Sequence, residues 1–292
     1  MSEQRMSKTP QDKPDVSAIH RETGLAWDIV ASTGYMKDIE EDVRFLKAGG
    51  ITLMETEQLL LSDLSMWCDR ACHLLCSGGK DLLSLWNMGA KELVGVDISP
   101  TLIDYAGQKS RALGAPATWY CCDVLETPHE LDGSCDLVFT GRGAMMWIMD
   151  LGAWARVVER LLKPGGRFFL FEGHPLDNVW DREASEFILR SDGMGYFEEA
   201  PAENPGFPSS VIVRNLGNEN RPRMLERCWR PGEVINALAG RGLQYAHFDE
   251  YPSLFWNQFE RIPKTLSSRL PHAYSILMRK PGAYGNGEGT IS

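Results

Sequence analysis

Residues 72–97 read CHLLCSGGKDLLSLWNMGAKELVGVD. Two short apolar runs bracket an amphipathic stretch, and the first ends in small residues, Ser77-Gly78-Gly79, that lead straight into it. Strand, tight turn, helix and strand in that order make a βαβ unit, because two parallel strands need a helical crossover to join them. The second run ends on Asp97, a carboxylate at the tip of a strand roughly 20 residues past a glycine turn.

The same rhythm extends outward. The patterning predicts strands over 72–76, 92–97, 117–121, 135–140 and 167–172. It predicts helices over 81–88, 100–113 and 153–162, with Gly114 closing the second and Lys163-Pro164-Gly165-Gly166 turning the chain after the third. From Pro175 to Trp229 the rhythm breaks into Pro, Gly and Asn clusters around one strand-like run, 209–215, with a partner near 223–229. An antiparallel flap able to cover a substrate is expected there. A helix over 231–241 and strands over 244–250 and 272–280 resume the pattern, and the residues before Leu60 read as helices. The expected fold is α/β: a Rossmann-like open sheet of about seven mostly parallel strands flanked by helices, with an N-terminal helical cap and a β insertion after the fifth strand. The cap spans 1–60, the main domain 61–281 with 176–229 as insertion or lid, and 282–292 is read as a flexible tail.

The net charge of −10 repels phosphate backbones and anionic membrane surfaces, so nucleic acid is not an expected partner. No run of about 18 apolar residues occurs and the first fifteen residues are polar, which points away from membranes and toward the cytoplasm. Seven cysteines, an odd number, fit a reducing compartment better than a disulfide framework. Cys68, Cys72 and Cys76 with His73 could be drawn as zinc ligands, but the C-x2-C pairs of structural sites are missing, so buried thiols are expected and no metal.

Four places on this frame carry chemistry. In the turn after the first strand, Cys76, Ser77 and Gly79 would let backbone approach a ligand near a helix N-terminus, although a Gly-Gly pair also serves as a plain turn. Asp97 can accept from both hydroxyls of a ribose; its competing role as helix cap is weakened by Ser99, which stands before Pro100 and caps as well. Asp123, after the third strand, is placed to accept from an adenine amino group. The fourth strand ends at Thr140, before a glycine-containing loop at the ligand crevice of an open sheet.

With these residues the chain resembles the class I S-adenosylmethionine-dependent methyltransferases over roughly Val43 to Pro281, in particular a bacterial small-molecule subgroup. The matching segments are His73 to Gly79, Gly95-Val96-Asp97-Ile98-Ser99, Gly143-Ala144-Met145-Met146-Trp147 and Phe171-Glu172-Gly173-His174-Pro175; Leu161 to Gly166 is the most specific. The resemblance implies S-adenosylmethionine as cofactor, with Asp97 on the ribose, Ile98 on the adenine face, Asp123 and Val124 at its rim and Thr140 at the methionine end. It also implies pocket closure by N-terminal helices, for which Trp27, Tyr35 and Phe45 are candidates. The chain departs from the family at the first motif, where His73 replaces an acid and Leu75 and Ser77 replace glycines. A nicotinamide dehydrogenase is disfavoured because G-x-G-x-x-G is absent.

A sulfonium methyl is already activated, so the protein must align it and, for a protonated acceptor, supply a base. His174, just beyond the fifth strand, is the candidate catalytic base and a substrate contact, with hydrogen bonding to the insertion as its other reading. Tyr35, Met146 and Trp147 are the other candidate substrate-binding residues, core packing being the alternative for the last two. Trp229, Tyr251, Phe255 and Trp256 would form a lid or a contact between copies, for a monomer or homodimer. The expected function is methyl transfer to an O, N, S or C nucleophile of a small metabolite. The alternatives are non-methylating lyase or cyclase chemistry on the same fold, or a non-catalytic binding scaffold.

Overall fold

A computed structural model of the chain describes residues 15–282 apart from positions 192 and 220. The start of the expected cap, 1–14, and the expected tail from 283 onward lie outside the described residues.

Three helices come first, α1 (Val16–Ser32), α2 (Ile39–Lys47) and α3 (Glu55–Leu61). Then follow β1 (Arg70–Leu74), α4 (Lys80–Asn87), β2 (Glu92–Asp97), α5 (Pro100–Leu113), β3 (Ala117–Cys121), β4 (Cys135–Gly141), α6 (Leu151–Leu161) and β5 (Leu162–Gly173). The insertion holds β6 (Ala202–Glu203), α7 (Ser209–Leu216) and β7 (Leu225–Glu226). The chain closes with α8 (Pro231–Ala239), β8 (Gln244–Tyr251), α9 (Lys264–Ser267) and β9 (Ala273–Arg279). Among the described residues no helix is long and apolar enough to cross a membrane.

Seven strands form one sheet in the order β3-β2-β1-β4-β5-β9-β8, parallel up to β5, with β9 antiparallel to both its neighbours. Side chains alternate across the pleat. Phe168 and Leu170 of β5 therefore face the core beneath α6 and α8, while Phe169 and Phe171 face the one beneath α3 and α4. All four are fully buried, and each such side chain contributes on the order of 2 kcal/mol by leaving water.

Some boundaries coincide with the sequence reading and others move for local reasons. Helix α5 starts and stops where expected, because Ser99 accepts from Leu102 N–H, Pro100 occupies the first turn and Gly114 takes a left-handed φ of 69°. β1 ends at Leu74, two residues early, because Leu75 and Ser77 adopt positive φ of 57° and 49° and turn the chain out of the sheet. The larger difference is in the insertion. Residues 209–215, read as a strand, are the helix α7; among the described residues the strand pairing there is confined to Ala202–Glu203 with Leu225–Glu226 and a single Trp180–Leu189 bridge. Ile212 of α7 is fully buried with Ala26 and Val30 of α1, and this docking overrides the β preference of Val211-Ile212-Val213.

Candidate functional site

The order of the sheet reverses at β1, whose neighbours are β2 on one side and β4 on the other. The crevice beyond the carboxyl ends of strands at such a switch point is where open α/β sheets bind ligands. A cleft of about 910 Å³, open mouth included, occupies that position. Asp97 and Ile98 from the end of β2, Asp123 and Val124 after β3, Leu75 to Ser77 after β1, and Gly141 to Ala144 after β4 all line it. His20, Thr23 and Trp27 of α1 form its roof.

At the β2–β3 side the carboxylates are fixed by backbone. Asp97 accepts from Ser77 N–H at 2.7 Å and from Ser99 N–H at 3.0 Å. Burial pushes its carboxyl up and these hydrogen bonds oppose that. Ser99 does cap α5, and Asp28 of α1 accepts from Ser99 Oγ and Thr101 N–H, both at 2.9 Å. Asp123 meets His20 Nδ1 at 2.7 Å, and His20 Nε2 accepts from Met149 N–H at 3.2 Å. With Nε2 accepting, the ring proton sits on Nδ1 and points at Asp123. Gly24 lies against Ile98, where an added Cβ would come within 2.9 Å of the Ile98 side chain. Helix α1 is thereby latched over the cleft at three points.

The turn after β1 keeps a glycine-like path without the glycines. Leu75 and Ser77 hold left-handed φ at a cost of about 1 kcal/mol each. Their Cβ atoms occupy the loop while the backbone follows the curve that lets Ser77 N–H reach Asp97. Gly79 does not line the cleft. Its φ of 77° and the approach of Trp119 and Ala106, within 2.6 and 2.7 Å of a Cβ built there, require glycine for packing. Beneath the loop, fully buried Lys109 pairs with Asp42 at 2.7 Å and donates to the carbonyl of Gly78 at 3.0 Å.

On the β1–β4 side the charges are arranged differently. His73 is buried and lines the cleft, and neither of its ring nitrogens has a partner. Burial pulls its pKa down to about 4, so the ring is neutral near pH 7. Arg142, with φ of 61° between Gly141 and Gly143, places its guanidinium between two carboxylates: Glu57 Oε2 at 2.8 Å from Nη1 and Asp81 Oδ2 at 3.1 Å from Nε. Thr52 donates to the other Asp81 oxygen at 2.5 Å. Glu57 is fully buried, and burial raises its carboxyl to about 7 against the pull of Arg142.

A second cavity of about 1,380 Å³ adjoins the first and shares Trp27, Tyr35, Arg142, Gly143 and Trp147 with it. Met146 and His174 line it, with Asp177, Arg227, Trp229 and Trp256 from the insertion and the C-terminal part. Trp27 packs edge-on to Trp147 at 5.5 Å and lies 5.8 Å from Tyr35, so aromatic rings frame the passage between the cavities. Buried Glu172, at the base, accepts from the N–H groups of Gly143, Ala144, Met145 and Gly173 at 2.6–3.0 Å, and so shapes the loop shared by both cavities. His174 accepts from Leu176 N–H on Nδ1 at 3.2 Å and meets Glu250 with Nε2 at 2.9 Å. Both nitrogens are engaged, and in this conformation neither offers a lone pair to a substrate. His272 faces acceptors on both sides, Asp177 at 2.8 Å and the Ser267 carbonyl at 2.7 Å, which only an imidazolium satisfies; this holds its pKa up.

Among the sequence candidates, Cys76, Ser77, Asp97, Ile98, Asp123 and Val124 converge on the first cavity, Met146 and His174 on the second, and Tyr35 and Trp147 on both. Thr140 is buried one residue short of the lining, and Phe45 lies outside it beneath Lys80. His20, Asp81, Arg142 and Glu57 were not singled out from the sequence. A cation flanked by glycines, Gly141-Arg142-Gly143, was the available signal for Arg142. Cys68, Cys72 and Cys76 are buried free thiols, and among the described residues no three metal-ligating side chains converge.

Residues 73–170 match the family model described as a methyltransferase domain. The chain is 30% identical over 92 residues to the uncharacterised protein YafE of Escherichia coli (strain K12), a match covering 30% of this chain and 44% of that one. It spans less than half the length of the curated relatives it matches. A solved structure described as a putative S-adenosylmethionine-dependent methyltransferase from Listeria monocytogenes is similar with a TM-score of 0.56 at 17% identity, over 76% of this chain and 95% of that one. The [4+2]-cyclase SpnF is similar with a TM-score of 0.55 at 14% identity, over 90% of this chain and 97% of that one. Residues 73–170 thus match a methyltransferase-domain model, and the seven-stranded sheet has the fold of these solved structures.

Proposed function

We propose that the protein transfers a methyl group from S-adenosylmethionine to a nucleophile of a small, partly apolar metabolite, with the cofactor in the first cavity and the acceptor in the second. The observation that carries this reading is the join. A cleft with a fixed carboxylate at the tip of β2 opens through Trp27, Tyr35 and Trp147 into a larger, aromatic-lined cavity. The residues fit the cofactor. Asp97 and Asp123 keep unused lone pairs for hydroxyl and amino donors, Ile98 and Val124 offer apolar faces, and His73 presents two unpartnered nitrogens.

Bound S-adenosylmethionine supplies an activated methyl on a sulfonium. The chain then has to hold both reactants in line and keep water out. Asp97 anchors the ribose, α1 covers it, and the ring of Trp27, Tyr35 and Trp147 narrows the passage across which the methyl must travel. Glu172 positions the loop that carries Trp147. Proton removal by His174 requires that it let go of Leu176 N–H, so acceptors that are already anionic or neutral lone-pair donors suit this geometry best. The seven free cysteines support a reducing, cytoplasmic setting.

Titration calorimetry with S-adenosylmethionine and S-adenosylhomocysteine tests the first half. Absence of binding to either sinks the reading and leaves a non-catalytic scaffold. A panel of acceptors assayed for S-adenosylhomocysteine release tests the second half, with His174→Ala to ask whether the pH dependence of turnover changes. The engagement of both His174 nitrogens favours one second reading, a cyclase- or lyase-type reaction in the same cavity; conversion of a compound without stoichiometric S-adenosylhomocysteine would establish it.

A further inference from the structure

The proposed function fixes only the adenosine end of the cofactor, at Asp97 and Asp123. A ligand extended from there along the sheet edge passes β1 and brings its amino-acid end to the β4 side, where the lining residues are His73, Asp81 and Arg142. Among the described residues Arg142 is the single lysine or arginine lining this cleft. It is already shared between Glu57 and Asp81, and Glu57 Oε1 has no partner at all. The charged or titratable groups around Glu57 are Arg142 from the loop after β4, Asp81 from α4 and the phenol of Tyr251 from β8. His73, beyond them, is neutral and brings no compensating charge.

Resting on that reading, we propose that Arg142 holds the carboxylate of the cofactor's amino-acid end, and that Glu57, losing its cationic partner, takes up a proton as the cofactor binds. A fully buried carboxylate stripped of its cation, with Asp81 still close by, is strongly disfavoured, and the least costly relief is protonation. Burial already holds Glu57 at about 7 with Arg142 in place, so little is needed to tip it. The arrangement also answers why an arginine stands between two acids at the mouth of a ligand cleft: one acid, Asp81, remains for the cofactor's ammonium, and the other can be discharged.

The test is calorimetry of S-adenosylhomocysteine binding to the full chain at pH 7.5 in phosphate and in Tris, whose ionisation enthalpies differ. The wild-type protein should take up about 0.5–1 proton more than Glu57→Gln does. The ligand's own α-amino group, which titrates near about 8, is common to both proteins and cancels. Wild-type affinity should weaken by up to about tenfold per pH unit above pH 7 relative to the variant. Equal proton counts in the two proteins, or proton release, overturn the assignment while leaving the proposed function standing; no binding by the wild type overturns both. Should Glu57→Gln fail to fold, the protonated-carboxyl infrared band of the wild type is the second measurement. It should grow when S-adenosylhomocysteine is added, and an unchanged band overturns the proposal.

Discussion

The two cavities meet at the same aromatic passage but are built on different principles. The first cleft is assembled from strand ends and the turns that follow them, and its acids are fixed by backbone N–H groups or by neighbouring helices. The second cavity takes most of its lining from the insertion and from β9 and its approach, where side chains hold one another, as in His272–Asp177 and His174–Glu250. A strand end has little freedom, so a cofactor shared by many chemistries can be held there. An insertion can be redrawn without disturbing the sheet, which under the proposed function suits it to carry specificity.

The largest effect should come from the residue under both cavities. Glu172→Ala leaves four backbone donors without their acceptor and should cost about 4 kcal/mol, lowering the melting temperature by roughly 10 °C. A melting temperature within about 2–3 °C of wild type in scanning calorimetry, equivalent to roughly 1 kcal/mol, would mean that the cavities do not share a foundation.

Two histidines should separate the cavities by the sign of their pH response. His73 has a folded pKa near 4, below its unfolded value of about 6.5, so the folded state binds fewer protons and stability falls as pH drops from 6.5 toward 4. The loss should reach about 3 kcal/mol, and His73→Phe should flatten it. His272 is shifted the other way by Asp177 and the Ser267 carbonyl. Its stabilisation is complete below about pH 6.5 and is lost as pH rises through the elevated folded value; His272→Gln should remove this alkaline limb. Chemical denaturation from pH 4 to 9 reads both limbs, and like slopes for the two variants would erase the contrast.

Asp97→Ala should weaken S-adenosylhomocysteine binding at least about a hundredfold, since two charge-assisted bonds are worth roughly 1.5–3 kcal/mol each. Loss of binding below tenfold in calorimetry would move the ribose elsewhere. The smallest effect is expected at His20→Ala, a change of about fivefold in affinity through a loosened α1, read by the same titration.

What could be read from the sequence follows the same divide. The place of Asp97 was legible because a strand fixes where its last residue points, that of Asp123 because it follows the end of β3 by two residues, and α5 was legible to the residue because Ser99, Pro100 and Gly114 are local signals. Arg142 and Glu57 were not, since their meeting depends on α3 docking beside β4, 85 positions away along the chain. The misread 209–215 segment failed for a similar reason: its β-branched residues speak for a strand, and only the distant α1 makes a helix of it. The glycine turn misled in a subtler way. Gly79 is required by Trp119 and Ala106, while the curve that borders the first cleft is made by Leu75 and Ser77.

Helix α1 is the first described element to leave the ribosome, yet every latch it makes is with residues synthesised far later. Asp28 waits for Ser99 and Thr101, and His20 waits for Asp123 and then Met149, separations of 71 to 129 positions. Contacts so distant carry a loop-closure cost that is repaid only when the sheet already stands. The roof of the cleft therefore closes last. Its α7 brace, through Ile212, belongs to that late closure, and until it docks Ala26 and Val30 lack the cover that buries them in the finished protein.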